Sequence, residues 1–391
     1  MPKSHLPIVI AGAGPAGSSL AIRLREQNLP VVLIERYKFP RQKLCGEFIS
    51  PECLTHFSEL GVRDEMLAAG GHRILETRFF EPGGRSVNVP TNWFGAGEFA
   101  LSLSRARMDG ILLEAARKSG AEVLEETSVT GLVVEDETVR GIRVRNVDGA
   151  SVDILASVTV DATGRGRILT KLADKHAGKV PEQRPQFVGF KAHLTGADLP
   201  AGVCEIYAFE GGYAGLSFVE GGEANLCFLA RASLVGDGRN ADAIVDDIRR
   251  QNIRARETLK NARKVHDWLA VSIPAFGFEK QPATRGLYAV GDSAAFIDPF
   301  TGSGMLMAIE SAKLFSECIA EVGVANEQLR SLYSARYRER FARRLRVSAL
   351  LRRVAYRTSL GRGAVRILSL SDRLRSALAR RTRSASRTTA L

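Results

Sequence analysis

The chain has 391 residues, 45 % of them hydrophobic and 25 % charged, which is length for about two to three domains and ample material for a core. That composition excludes global disorder, the 37 glycines and 14 prolines exclude a collagen-like or linker-like bias, and the lack of an apolar run of about 18 residues excludes a spanning helix. The formal net charge of +12 is segregated: residues 330–391 hold eighteen arginines, no lysine and two acids (Glu339, Asp372), while the rest of the chain holds 37 basic and 41 acidic residues.

The start, MPKSHLPIVIAGAG, has no charged n-region, long apolar stretch and cleavage site of the kind a secretory signal needs. Cys45, Cys53, Cys204, Cys227 and Cys318 are odd in number and far apart, which reads as reduced thiols. The six histidines show no ligand spacing, so no metal is assigned. The expected location is cytoplasmic.

In chain order, residues 7–11 (PIVIA) predict a short buried strand, followed by GAGPAG, a helix from Gly17 to about Gln27, and a second buried strand ending at Glu35. Residues 40–73 read as a loop and short helices. Strands are expected at 74–80, 85–89 and 98–103, with a PGG turn at 82–84, and a helix from Arg105 to Lys118. Further strands are expected near 121–125, 129–134, 139–146 and 151–155, then an apolar strand at 156–161 that leads into DATGRG. The runs 187–194, 203–209, 213–219 and 224–230 have the regular spacing of an antiparallel sheet. Residues 240–264 read as helical, GLYAVGDSAAFIDPFTGSGMLMAIESAKLF as strand, loop and helix, and the remainder as arginine-rich helix. The final RRTRSASRTTAL reads as disordered.

Gly12, Gly14 and Gly17 supply GxGxxG, with Ala13, Pro15 and Ala16 between them. The first glycine permits a tight turn, the second lets a pyrophosphate approach the backbone, and the third lets helix and strand pack closely. Glu35 follows Gly17 by eighteen residues, at the strand end where a carboxylate accepts hydrogen bonds from a ribose diol; Arg36 stands beside it. A phosphorylated ribose would be repelled by Glu35. Strand, glycine turn, helix and distant acid together predict dinucleotide binding.

A second signal lies about 280 residues further on: the apolar strand Tyr288-Ala289-Val290 ends in Gly291-Asp292, with Asp298-Pro299 and Gly302-Ser303-Gly304 behind it. With SRARMDGILLEAA at 104–116 and DATG at 161–164, the chain resembles the FAD-dependent p-hydroxybenzoate hydroxylase superfamily. The likeness is strongest to its geranylgeranyl-reductase-like and flavin-dependent-halogenase-like branches. The resemblance covers most of residues 7–345.

It implies an α/β fold, with a Rossmann-type FAD-binding domain (1–73, 104–185 and 280–325), an inserted antiparallel β-sheet substrate domain (74–103 and 186–279), and a basic helical C-terminal segment (326–391). It implies non-covalent FAD, with NAD(P)H as a transient reductant. Asp292 would bind the ribityl hydroxyls, and Arg105 would touch the cofactor between pyrophosphate and flavin. Gly164 and Gly291 would flank it, and Pro299 with the backbone of Gly302, Ser303, Gly304 and Met305 would border the isoalloxazine. The plainer reading of Arg105 is an i,i+4 ion pair with Asp109. FPRQKLCGEFIS at 39–50 matches a loop that passes near the flavin in these families. It makes Cys45 and Glu47 catalytic candidates alongside Tyr213, although each can equally serve as a buried thiol or a structural hydrogen bond.

Departures from each branch bear on the reaction. Aromatic hydroxylases carry Ala-Ala-His and GxGxN where this chain has Ala295 and Leu306, and halogenases carry WxWxIP, which neither Trp93 nor Trp268 joins. Geranylgeranyl reductases carry roughly YxWxFP, of which the segment from Gly212 to Val219 keeps Tyr213 and Phe218. On sequence the favoured function is a monooxygenase acting on a hydrophobic polyketide, aromatic or lipid-type substrate. The alternative is a geranylgeranyl-reductase-like C=C reductase of an isoprenoid or enone, and the last option is a non-catalytic prenyl or lipid-binding escort.

In the tail, Leu329, Leu332, Tyr333, Tyr337, Phe341 and Leu345 form an apolar stripe, and Val365, Leu368, Leu374 and Leu378 a second, both interleaved with arginines. The readings are a solvated face, peripheral attachment to an anionic membrane surface, or docking of an acyl-carrier or CoA-linked substrate. Nucleic acid is not expected, since no groove-reading motif accompanies the charge.

Overall fold

The computed structural model describes residues 6–382 apart from 95, 96, 98, 179–184, 237, 238, 280 and 325. Most of the final RRTRSASRTTAL, and the first residue of the strand expected at 98–103, therefore lie outside the described residues. The chain adopts the α/β architecture read from its sequence. A five-stranded parallel sheet runs in the order Leu287–Ala289, Val158–Asp161, Ile8–Ala11, Val31–Ile34, Glu122–Leu124. Its three central strands are buried at every position, as β-branched runs covered on both faces must be.

The two-residue period of a strand sorts these side chains between two cores. Ile8, Ile10, Leu33 and Val160 face the helices Pro15–Glu26, Arg105–Lys118 and Gly304–Val322. Val9, Ala11, Val32 and Ile34 face a three-stranded antiparallel sheet (Ser128–Glu135, Thr138–Arg145, Ser151–Leu155) and the helix Ile168–His176.

An eight-stranded sheet forms the second unit. Its order is Arg263–Lys264, Phe187–Thr195, Ala224–Arg231, Gly212–Phe218, Val203–Phe209, Glu76–Phe80, Ser86–Pro90, with Leu269–Ile273 also pairing onto Phe187–Thr195. The sheet is antiparallel except where Val203–Phe209 meets Glu76–Phe80 in parallel. Alternation again divides its faces. Phe190, Leu194, Leu216, Leu226 and Phe228 pack under the helix Ala241–Gln251, whereas Tyr213, Leu229 and Ile273 turn to the opposite face with Phe276, Phe296, Phe300 and Tyr356.

Two local expectations are corrected. The helix expected over 240–264 is broken into Ala241–Gln251 and Ile253–Thr258 by Asn252, whose backbone is extended. Its amide donates to the carbonyls of Phe80 and Ala208 while its oxygen caps Ala255. The strand Leu269–Ile273 was not foreseen, although its Leu, Val and Ile alternate. The basic tail forms the helices Gln328–Ala355, Thr358–Ser369 and Asp372–Arg381. Among the described residues no helix is long and apolar enough to cross a membrane.

Candidate active site

The glycine turn is built as tightly as its residues imply. Gly12 has φ +102, and a Cβ there would meet the Ala162 carbonyl oxygen at 2.4 Å. A Cβ on Gly17 would fall 1.9 Å from the Gly12 oxygen, so the third glycine is required for helix and strand to touch. Pro15 opens the helix at its first turn with Gly14 as the cap. Beyond Gly14 the nearest atoms to an added Cβ are the guanidiniums of Arg105 and Arg41, at 3.8 and 4.0 Å. The unpaired N–H groups of the helix start, followed by two cations, make an anion-binding position. Glu35 is buried, and its carboxylate accepts from the N–H groups of Ala13 and Tyr37, both at 3.1 Å, with Arg41 at 3.5 Å. Arg36 is exposed and lies over the Tyr37 ring.

The fold brings the second motif to the first. Val290 donates to the Asp161 carbonyl, and Gly291 (φ +60) sits so close to Ala16 that a Cβ would meet its methyl at 2.8 Å. The Gly291 N–H is held by Ser311 at 2.8 Å. In DATG, Asp161 is a fastener: its buried carboxylate accepts from the backbone and hydroxyl of both Thr163 and Thr170 and from Ser293. Gly164 has φ +72 and accepts from Ser293, with open space where a Cβ would be.

Asp292 is half-buried, and among the described residues no hydrogen bond or ion pair is made to its carboxylate. Burial pushes its pKa up, against the pull of Arg165, Arg105 and Lys43. The same cations act on one another: burial and then Arg41, Arg105 and Arg165 push Lys43 down to about 8. Arg105 pairs with Asp109 through two 2.7 Å bonds, and Arg41 reaches the same carboxylate at 3.1 Å. The plainer reading of Arg105 is thus present as an ion pair, and that pair aims the guanidinium at the Gly14 turn. An excess of clustered cations suits a pyrophosphate, and an unengaged carboxylate suits sugar hydroxyls. The residues present fit FAD.

At the far end, a Cβ on Gly302 (φ +60) would meet the Phe48 ring at 2.8 Å, and the helix Gly304–Val322 begins just behind it. Met305 turns its side chain into the core, Ser303 is buried, and Pro299 is exposed. Asp298 is buried; it accepts from Tyr213 at 2.8 Å and from the Phe300 N–H at 2.9 Å, and burial raises its pKa to about 6. Burial also pushes Tyr213 up, so it remains a hydroxyl.

The three catalytic candidates differ in surroundings. Glu47 is fully buried and takes Lys191 at 2.5 Å, His193 at 2.8 Å and the Arg105 N–H at 2.8 Å. Although burial raises its pKa, His193 and Lys191 outweigh that and hold it below the usual carboxylate range. A carboxylate held as an anion is poorly suited to donate a proton near neutrality, and through these bonds Glu47 ties the 40–48 loop to the sheet. Cys45 is half-buried; its sulfur accepts from the Glu47 N–H at 3.4 Å, and its carbonyl accepts from Asn225. It lies beside Arg105 and Cys227, whose own thiol burial pushes up to about 12.

Sequence reading missed Arg165, Lys191 and His193, placed Arg41 and Lys43 only as neighbours of Cys45, and named Asp298 only as part of the second motif. For Lys191 and His193 a signal exists: in FKAHL they alternate with Phe190, Ala192 and Leu194, which places two polar side chains on the face opposite the core. For Lys43 and Arg165 nothing local distinguishes them from solvated cations.

Comparison with known proteins agrees with this geometry. A family model described as an FAD binding domain matches residues 5–348. Digeranylgeranylglycerophospholipid reductase of Methanosarcina mazei is 29 % identical over 86 % of this chain and 81 % of its own. Menaquinone reductase of Mycolicibacterium smegmatis is 26 % identical over 88 % and 83 %. Among solved structures, a flavin-dependent brominase superposes with a TM-score of 0.80 at 22 % identity over 97 % of this chain and 93 % of its own. A geranylgeranyl bacteriochlorophyll reductase-like protein from Thermoplasma acidophilum superposes at 0.73 and 20 %, over 95 % and 89 %. At those identities the structural likeness speaks for the fold alone.

Proposed function

The chain belongs to the FAD-binding family whose model spans residues 5–348 and is an FAD-dependent oxidoreductase; from that premise we propose that it saturates carbon–carbon double bonds of an isoprenoid lipid. The observation that carries this reading is the aromatic wall beside Pro299–Gly302. Tyr213, Phe300, Phe296, Phe276, Phe187 and Tyr356 pack into one cluster with Leu229 and Ile273. Such a wall excludes water and offers contact area, but no polar recognition, to a long hydrocarbon. The segment at 212–219 lacks the tryptophan and proline of the aromatic signature, and the rings that other elements bring beside it support a reductase reading in their place. The names of the curated relatives support the same reading. The oxygenation favoured on sequence has no comparable support.

The Gly12–Gly17 turn, Arg105 and Asp292 would hold FAD, which when bound and reduced by NAD(P)H would supply hydride chemistry. The chain's part is to hold the alkene against the aromatic wall and to supply the balancing proton. Asp298 orients the Tyr213 hydroxyl, and the Cys45 thiol, carried on a loop that Glu47 and Asn225 pin to the sheet, is the proton donor. The tail brings the enzyme to an anionic lipid surface, a peripheral attachment that needs no spanning helix.

The test is turnover of a polyprenyl lipid by the FAD-loaded enzyme with NAD(P)H or dithionite, read by product mass. Gain of two hydrogens per double bond is expected. Gain of an oxygen atom, seen only when oxygen is admitted, would return the monooxygenase reading.

A further inference from the structure

A second cavity, of about 400 Å³, opens at the corner between the eight-stranded sheet and the tail. It is lined by Phe187, Arg231, Arg352, Arg353, Tyr356 and Arg357. Phe187 and Arg231 are register partners at one end of their paired strands, and the other four residues form the end of the helix Gln328–Ala355 and the turn after it. Four guanidiniums therefore share one cavity. Among the described residues no ion pair is made by Arg231, Arg353 or Arg357. Arg352 stands 4.0 Å from the Asp298 carboxylate and lies over the Phe276 ring at 4.9 Å.

Tyr356 is the independent observation. It is 3 % exposed, and among the described residues its hydroxyl has no hydrogen-bond partner. A buried hydroxyl left unbonded is costly unless a ligand completes it. Asp298 acts on it more strongly than Arg352 and Arg231 do, and Tyr356 lines the same cavity as the four arginines. From there the path towards the cofactor is aromatic. The Tyr356 ring meets Phe187 at 5.1 Å and Tyr213 at 5.9 Å, and Tyr213 meets Phe300 at 5.1 Å, next to Pro299.

We infer that this cavity binds the phosphate or diphosphate head of an amphipathic isoprenoid substrate, whose chain then runs along the aromatic wall to the flavin. Clustered guanidiniums offer the forked, charge-assisted donors that phosphate oxygens accept, and the tyrosine hydroxyl adds one neutral donor. The head-binding role stands on the cavity itself; the direction of the tail rests on the proposed reductase function.

Equilibrium binding to the FAD-loaded full chain tests it, with three probes: geranylgeranyl monophosphate, geranylgeraniol and inorganic phosphate. The phosphate ester should bind at least about 10-fold more tightly than the alcohol, and that advantage should shrink as salt is raised. Arg353→Gln with Arg357→Gln should abolish the advantage while leaving alcohol binding unchanged, and the charge-matched control Arg63→Gln with Arg85→Gln should retain it. Tyr356→Phe, which removes one oxygen from a buried ring, should weaken the ester about 5-fold with flavin content preserved, and it carries the test if the double variant does not fold. Equal affinity for ester and alcohol, or an advantage that survives both substitutions, overturns the assignment. Inorganic phosphate binding as tightly as the ester would make this a free-anion site and overturn the substrate role. Because no turnover is read, arginine-dependent ester binding without double-bond reduction would sink only the reductase reading.

Discussion

At the residue scale, individual contacts make sharp demands. Gly17 cannot accept a methyl group, because the opposing atom is the backbone oxygen of Gly12. Gly17→Ala should lower stability by about 3 kcal/mol and remove the visible flavin band from the purified protein; normal flavin content would refute the turn geometry. Lys43 should be visible in the pH dependence of FAD binding. With its pKa near 8 in the free protein, the charge that attracts pyrophosphate is present below that pH and lost above it. Affinity should fall by up to about tenfold per unit as pH rises through 8, whereas Lys43→Met should bind more weakly at neutral pH with a flat profile over the same window.

Asp298 has the opposite consequence for stability. Its pKa is raised from 3.8 to about 6, so the native state holds the proton more tightly than the unfolded state does. The stability it contributes is present below pH 3.8 and declines as pH rises towards 6. Urea melts of Asp298→Asn and the parent should therefore diverge in favour of the variant between those limits, by up to about 3 kcal/mol. Parallel curves would contradict the burial of this carboxylate. At this scale the glycines and acids of both motifs were legible because their spacing is local. Arg105 was legible from its motif, but the grouping around Asp292 was not, because only the folded arrangement draws Lys43 and Arg165 to it from distant segments.

At the element scale, the parallel strands were legible because Ile8–Ala11 and Val31–Ile34 are unbroken β-branched runs, and the helix Arg105–Lys118 begins and ends where it was expected. The break at Asn252 was not, since its cause is a pair of hydrogen bonds to carbonyls 172 and 44 residues away. The tail's helical character was legible, but its division into three helices was not. The helix Thr358–Ser369 has no buried residue, and Leu360, Ile367, Leu370 and Leu374 are exposed at 46, 59, 85 and 45 %. Arg362, Arg366 and Arg373 alternate with them. This arrangement suits the interface of an anionic bilayer, where each arginine near the surface contributes about 1 kcal/mol. The parent protein should float with phosphatidylserine-containing vesicles at low salt and release as salt rises. Ile367→Glu with Leu370→Glu should stay behind; equal flotation would remove the membrane role of this face.

At the scale of the whole molecule, one chain passes repeatedly between two sheets. The cofactor motifs thereby meet on one unit while the second presents an aromatic face to them. The C-terminal helices close that face with Tyr356 and the arginines around it. Charge segregation follows the same division: the body of the chain is slightly acidic, and the strongly basic residues 330–391 form its C-terminal segment. Sequence alone named FAD and favoured oxygenation over double-bond reduction, weighing among other features the tryptophan and proline missing from one segment. It could not weigh rings that Phe187, Phe276, Phe296 and Phe300 bring from elsewhere. The most direct test of the central claim is anaerobic mixing of the pre-reduced enzyme with a geranylgeranyl lipid, following the flavin absorbance. Return of the oxidised flavin band without oxygen, in step with loss of double bonds, is the predicted result; a flavin that stays reduced until oxygen is admitted would contradict it.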